Sequence, residues 1–177
     1  MDLAWSGSDP GRSHMDDGMP DYAFVPGGPF RHPNVDRVDE PTPSPIEDGN
    51  WQASPLYLNG FKLFNAGYYW EAHEVWESLW HAHGRRGPIA DLLKGLIKLA
   101  AAGVKVRQGQ PHGIATHAAR AGACFASARR VAGRNLLGLD LDRLEGISSE
   151  IADNPLMPFV DLGVLVTKVF EFTIVPT

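Results

Sequence analysis

Between Ser54 and Arg134 the chain is punctuated at short intervals by residues that start or stop helices, and this rhythm constrains its fold more than any other feature. Ser54 can cap a helix that opens at Pro55, carries Leu56, Phe61, Leu63 and Phe64, and ends at Asn65 and Gly67. A second helix is predicted from about Tyr68 to His83. After the break "GRRG", Pro88 opens a third that reaches Arg107, where "QGQP" stops it. A fourth is expected from about His112 to Arg134, and Asp140 can cap a shorter fifth with Leu141, Leu144, Ile147 and Ile151 at helical spacing. Links this short leave each helix beside its predecessor, so the expected class is all-α, a bundle of about four or five helices behind an extended Pro/Gly-rich N-terminal arm. The third helix should be central. Leu92, Leu93, Leu96, Ile97, Leu99, Val104 and Val106 cover most of its circumference, and Gly95, Ala100, Ala101, Ala102 and Gly103 let neighbouring axes come close.

At 177 residues the chain can bury one good core. The reading divides it into an acidic extended arm at 1–53, a core helical domain at 54–135, and a C-terminal helix with an apolar tail, 136–177, packed on that core. Within the arm, "SGSDPGRSHM" reads as linker left by a cloning junction, with the natural start at Met15 or Met19. "DYAFVPGGPFRHP" combines Tyr22, Phe24 and Phe30 with a Pro-Gly turn, and such aromatics want a surface to lie on. The ending "FVDLGVLVTKVFEFTIVPT" is β-branched; a strand there would need a partner, for which the arm is a candidate.

Charge is uneven, because residues 1–50 hold ten acids against three arginines while the remainder has eleven acids against thirteen bases. Arg129, Arg130 and Arg134 are too few to form a basic stripe, so no nucleic acid is expected as a partner. No apolar run approaches a bilayer's width, so no membrane is expected either. Cys124 is the only cysteine, which excludes an internal disulfide and makes a reducing cytoplasm the expected setting.

The chemistry concentrates in "YYWEAHEVWESLW", residues 68–80. On a helical wheel centred on His73, Tyr69, Trp76 and Trp80 fall within about 60° on one side, and Glu77, Trp70, His81 and Glu74 within about 100° on the other. Glu71, Val75, Ser78 and Ala82 lie opposite, where solvent is expected. His73, Glu74 and Glu77 can approach one another, giving an imidazole and two carboxylates walled by indoles. Lys94, Lys98 and Lys105 line one face of the next helix and could meet Glu74 or Glu77. The fourth helix places His117 with Ile114, Ala121, Cys124, Phe125 and Ala128, so His117 should point inward and be hydrogen-bonded, and Cys124 should be a buried, unreactive thiol. His81 and His83, at the end of the second helix, are expected to serve as cations at its C-terminus.

"LFNAGYYWEAHEVWESLWHAHG" followed by "LLKGLIKLAAAGVKVRQGQPHGIATHAARA" resembles the prokaryotic and plastid family that carries domain of unknown function 309, over about residues 54–131. "YAFVPGGPFRHP" is similar to the Pro-Gly…His-Pro arm of some members. The resemblance implies an all-α bundle with signature residues Phe64, Asn65, Gly67, Tyr69, Glu71, His73, Glu74, Glu77 and Trp80, and no established activity. Where members often show glutamines on the helix after the signature, this chain has Lys94 and Lys98, which favours ion pairing with Glu74 or Glu77 over a shared metal site.

Two readings follow. The first is a binding or interaction module built on a cluster of Tyr69, Glu71, His73, Glu74, Trp76, Glu77, Trp80, Lys94 and Lys98, with no cofactor; its partners would be a second copy of the chain, as a homodimer, or a small molecule of unidentified class. The second takes "HEVWE" as a zincin-like pattern whose last ligand is Glu. It is a metal-dependent hydrolase with His73 and Glu77 as ligands to a divalent metal, Glu74 as general base, and a third ligand from His117 or His32.

Overall fold

The computed structural model describes residues 19–32, 42–156 and 161–177. The linker-like "SGSDPGRSHM" lies outside the described residues. A 3-10 segment, Asp48–Ala53, leads into five helices: α1 Pro55–Ala66, α2 Tyr69–Ala82, α3 Pro88–Arg107, α4 Pro111–Ala132 and α5 Leu141–Asp153. A two-residue hairpin, β1 Asn135–Leu136 and β2 Leu139–Asp140, joins α4 to α5. The protein is an all-α bundle. Caps fall where the side chains require them: the Ser54 hydroxyl accepts from the Tyr57 amide, and the Asp140 carboxylate from the Arg143 amide. Gly67 closes α1 at φ 98°, and a Cβ there would lie 2.8 Å from the Thr167 carbonyl oxygen, so both conformation and contact ask for glycine.

Each helix packs on the one before it, with α3 and α4 in the middle. The lack of side chains sets the closest approaches. A methyl at Gly60 would strike the Trp76 indole, one at Gly95 the Phe125 ring, and one at Gly103 the Tyr69 ring. These pairs fix the registers α1–α2, α3–α4 and α2–α3, all antiparallel. Trp76, Tyr57, Phe64, Phe125, Leu92, Leu93, Leu96 and Leu99 are the heart of the core.

The tail adds no strand among the described residues; it is held by side chains instead. Arg107 Nη2 donates to the Val164 carbonyl at 2.9 Å, and the Tyr69 hydroxyl accepts from the Val169 and Phe170 amides at 2.9 and 3.3 Å. Asn65 both donates to and accepts from the Ile174 backbone, at 2.8 and 2.9 Å, while Phe64, Phe170 and Phe172 stack together. Among the described residues the expected pairing of tail with arm reduces to one backbone bond, from the Ala23 amide to the Leu165 carbonyl at 2.8 Å. The backbone needs of an extended segment are therefore met by helix side chains, not by a neighbouring strand.

Replacing Tyr69 by Phe keeps its packing against Gly103 but leaves the amides of Val169 and Phe170 without their acceptor. We expect a loss of about 1–3 kcal/mol in urea unfolding and faster hydrogen exchange at both amides. Unchanged exchange at Val169 would show that the hydroxyl does not hold the tail.

Candidate functional site

The signature residues separate into two groups. Asn65, Tyr69 and Glu71 hold the tail and the arm, while His73, Glu77 and Trp80 stay partly exposed on α2; Trp76, between them, fills the core. Glu71 corrects the helical wheel, which turned it to solvent: it is only 7 % exposed, because the arm crosses that side of α2. Its Oε1 accepts the Phe24 amide at 2.7 Å, and its Oε2 is buried without a hydrogen-bond partner among the described residues. Burial raises this carboxyl from 4.5 to about 7 against the pull of the Phe24 bond. The arm is anchored on either side of it. The Tyr68 hydroxyl donates to the Pro20 carbonyl, the Gln108 amide donates to the Pro26 carbonyl, and Phe24 packs edge-on against Trp70 and His32.

Glu74 goes to the arm as well. His32 Nε2 lies 2.9 Å from Glu74 Oε1 and 2.9 Å from Trp70 Nε1, so one ring nitrogen meets an acceptor and a donor. Which neighbour it serves fixes the tautomer of that ring. The expected meeting of His73, Glu74 and Glu77 is thus only half made. His73 Nδ1 stands 4.0 Å from Glu77 Oε2, beyond hydrogen-bond length, and Glu74 has turned away toward the arm.

The expected ion pairs with the lysines are also absent among the described residues. Lys94 instead lies over the Trp80 ring at 5.9 Å, and no carboxylate of the described residues is within bridging distance of Lys98. Lys98 is half-buried on the seam of α3 that faces both α2 and α4. Register puts it there: Lys94 meets Trp80 of α2, Asp91 accepts from Ser127 of α4, and the Lys105 chain runs against Gly113 of α4. Across this seam stand His73, which stacks on Trp70 with the ring planes 15° apart, and His117.

Burial holds both imidazoles below the usual histidine range; Glu77 pulls His73 back up while Lys98 pushes it further down. The charged groups facing His117 are Lys98, Lys105, Arg120 and the His73 ring, all of which oppose its protonation. The Nδ1 atoms of both rings are buried without a hydrogen-bond partner among the described residues. For His117 this departs from the hydrogen-bonded histidine expected. Cys124, half-buried on the same helix, has its thiol pushed up by burial, which disfavours the thiolate.

His81 and His83 do not act as the expected helix-end cations. His83 Nε2 accepts the Ile46 amide at 2.8 Å, and His81 Nδ1 accepts from Arg85 Nε at 3.0 Å, so each presents a lone pair there. Among the described residues no three His, Cys, Asp or Glu side chains are placed to hold a metal ion. His32, one candidate third ligand, meets Glu74 and Trp70; His117, the other, faces a cluster of cations. An open depression of about 440 Å³ lies elsewhere, between Pro43–Glu47, the start of α1 and Leu79, with Glu47 as its one titratable group.

Comparison with known proteins bears on the stretch that forms α1, α2, α3 and the start of α4: residues 57–116 match the model of a domain of unknown function, DUF309. That stretch is similar to DUF309 over about a third of the chain. No curated protein and no solved structure matches the chain. The DUF309 match includes His73, Glu77, Trp80, Lys94 and Lys98 but stops one residue before His117, and it leaves out the arm and tail that its own Asn65, Tyr69 and Glu71 hold. No helix among the described residues is long and apolar enough to cross a membrane.

Sequence reasoning missed Arg107. It is 1 % exposed, and its Nε and Nη1 have no partner among the described residues, while Nη2 holds the tail. A cation on the last turn of an apolar helix reads as an ordinary C-terminal charge. Only the tail's path across it reveals the burial.

Proposed function

We propose that this protein is a small-ligand binding module whose site is the seam where α2, α3 and α4 meet, formed by His73, Glu77 and Trp80, Lys94 and Lys98, and His117. The observation that carries this reading is the division of the signature. Its Asn65, Tyr69 and Glu71 have structural partners in the tail and arm, whereas His73 and Trp80 stay half-exposed beside a half-buried lysine that has no counterion among the described residues. Half-buried polar groups left without partners cost stability, and a fold keeps them where a ligand supplies the missing bonds. The hydrolase reading needs Glu74 beside His73 and Glu77, which would require it to leave His32 of the arm.

The test follows the histidine ring and indole signals of the isotope-labelled full chain by NMR while acidic, basic and neutral fragments are added. Shifts confined to His73, His117 and Trp80 with at least one class are the expected result. Shifts only around Pro43–Leu56, or none at all, would overturn the reading.

A further inference from the structure

The proposed site has a charge of its own, and that charge selects among ligands. On a chain whose formal net charge is -5, the seam runs the other way. Lys94, Lys98 and Lys105 stand on one face of α3, and Arg120 lies on α4 one turn after His117. Of the acids near them, Asp91 accepts from Ser127 at the far end, Glu74 is at His32, and Glu77, 44 % exposed, is the one that stands at the site, 4.0 Å from His73. Among the described residues the charged neighbours of His117 are cations.

Resting on the site reading above, we propose that the seam takes an oxyanion, a phosphate or carboxylate group of a small molecule, with Lys98 as its counterion and the His73 and His117 rings as hydrogen-bond donors on either side. The Lys98 residue is half-buried and has no counterion among the described residues, so an anion in the seam would add an ion pair that the fold does not itself supply. An oxyanion supplies charge and acceptors together. The rings suit it even when neutral, since each neutral imidazole carries one N–H, and acidification that charges them would strengthen binding. Trp80 closes the end of the seam under Lys94, giving the rest of the ligand an apolar wall. A cationic ligand would face these charges directly, and a neutral one would leave Lys98 unpaired.

The experiment titrates the full-length chain with inorganic phosphate and, separately, with acetate, at ionic strength held constant with potassium chloride so that general screening cancels. The His73 and His117 ring signals are followed in the wild type, in Lys98→Gln, and in Lys62→Gln on the exposed side of α1. The expected result is a saturable shift of both rings with phosphate or acetate, weakened about tenfold or more by Lys98→Gln, as loss of a charge-assisted bond implies, and unchanged by Lys62→Gln. The stronger of the two anions tells whether the group is a phosphate or a carboxylate. Binding that Lys98→Gln leaves intact would overturn the proposal, as would a seam that responds only to basic or neutral fragments; in the second case the site stands and only its charge preference falls. A seam silent to every compound removes the site and this inference together.

Discussion

Trp76→Ala is expected to lower stability by about 3–5 kcal/mol, the cost of removing a fully buried indole and leaving a cavity. The side chain is 0 % exposed, lies directly over Gly60, and packs against the rings of Phe61 and Phe64 at 5.1 and 5.9 Å between centroids. The site cannot collapse easily, because α1 already approaches as closely as Gly60 permits. Trp76→Phe should cost far less. The indole N–H is buried without a partner among the described residues, so its removal relieves a desolvation penalty that partly offsets the lost area. Urea unfolding of both variants measures the contrast. Equal losses would mean that the N–H finds an acceptor in solution.

Raising the pH from 5 to 8 is expected to loosen the arm. The Glu71 carboxyl titrates near 7 with the arm in place, and near its ordinary 4.5 once the arm leaves and water returns. Below about 4.5 the carboxyl is protonated in both states and docking does not depend on it. Between 4.5 and 7 the arm-off state has lost its proton while the arm-on state keeps it, so each unit of rise weakens docking by about 1.4 kcal/mol. Above about 7 both are ionised and the loss levels off, near 3 kcal/mol as an order of magnitude. The groups that face this carboxyl are Glu74 and Tyr68 beside it in sequence, His32 from the arm, and Arg107 from α3. The Phe24 amide reports the change directly. Its protection from hydrogen exchange, corrected for the intrinsic pH effect, should fall on the order of 100-fold across that range. Glu71→Gln keeps an oxygen for the Phe24 amide but cannot ionise, so it should flatten the profile. A wild-type profile as flat as that variant's would rule out Glu71 as the source.

The helices were legible because their signals are local. Ser54 and Pro55, Gly67, Pro88 and Asp140 each act on the backbone within one turn, and the structure starts or ends helices at those points. Gly95 and Gly103 were readable as points of close approach for the same reason: the absence of a side chain is visible without knowing the neighbour. The site was legible only in part. The wheel put His73 and Glu77 on one edge of α2, and they are there, 4.0 Å apart. It could not know that the arm, 47 residues upstream, would cover Glu71, or that His32, 42 residues upstream, would draw Glu74 away.

By itself the sequence determined the all-helical class, the helix ends and the composition of the polar stretch on α2, since hydrophobic period and backbone capping depend on residues within a turn or two of one another. Only the tertiary structure decided which of those polar groups are spent on holding the arm and tail, and which are left beside Lys98. That division depends on where extended segments with no period of their own come to rest, and they rest where helix side chains satisfy their backbone.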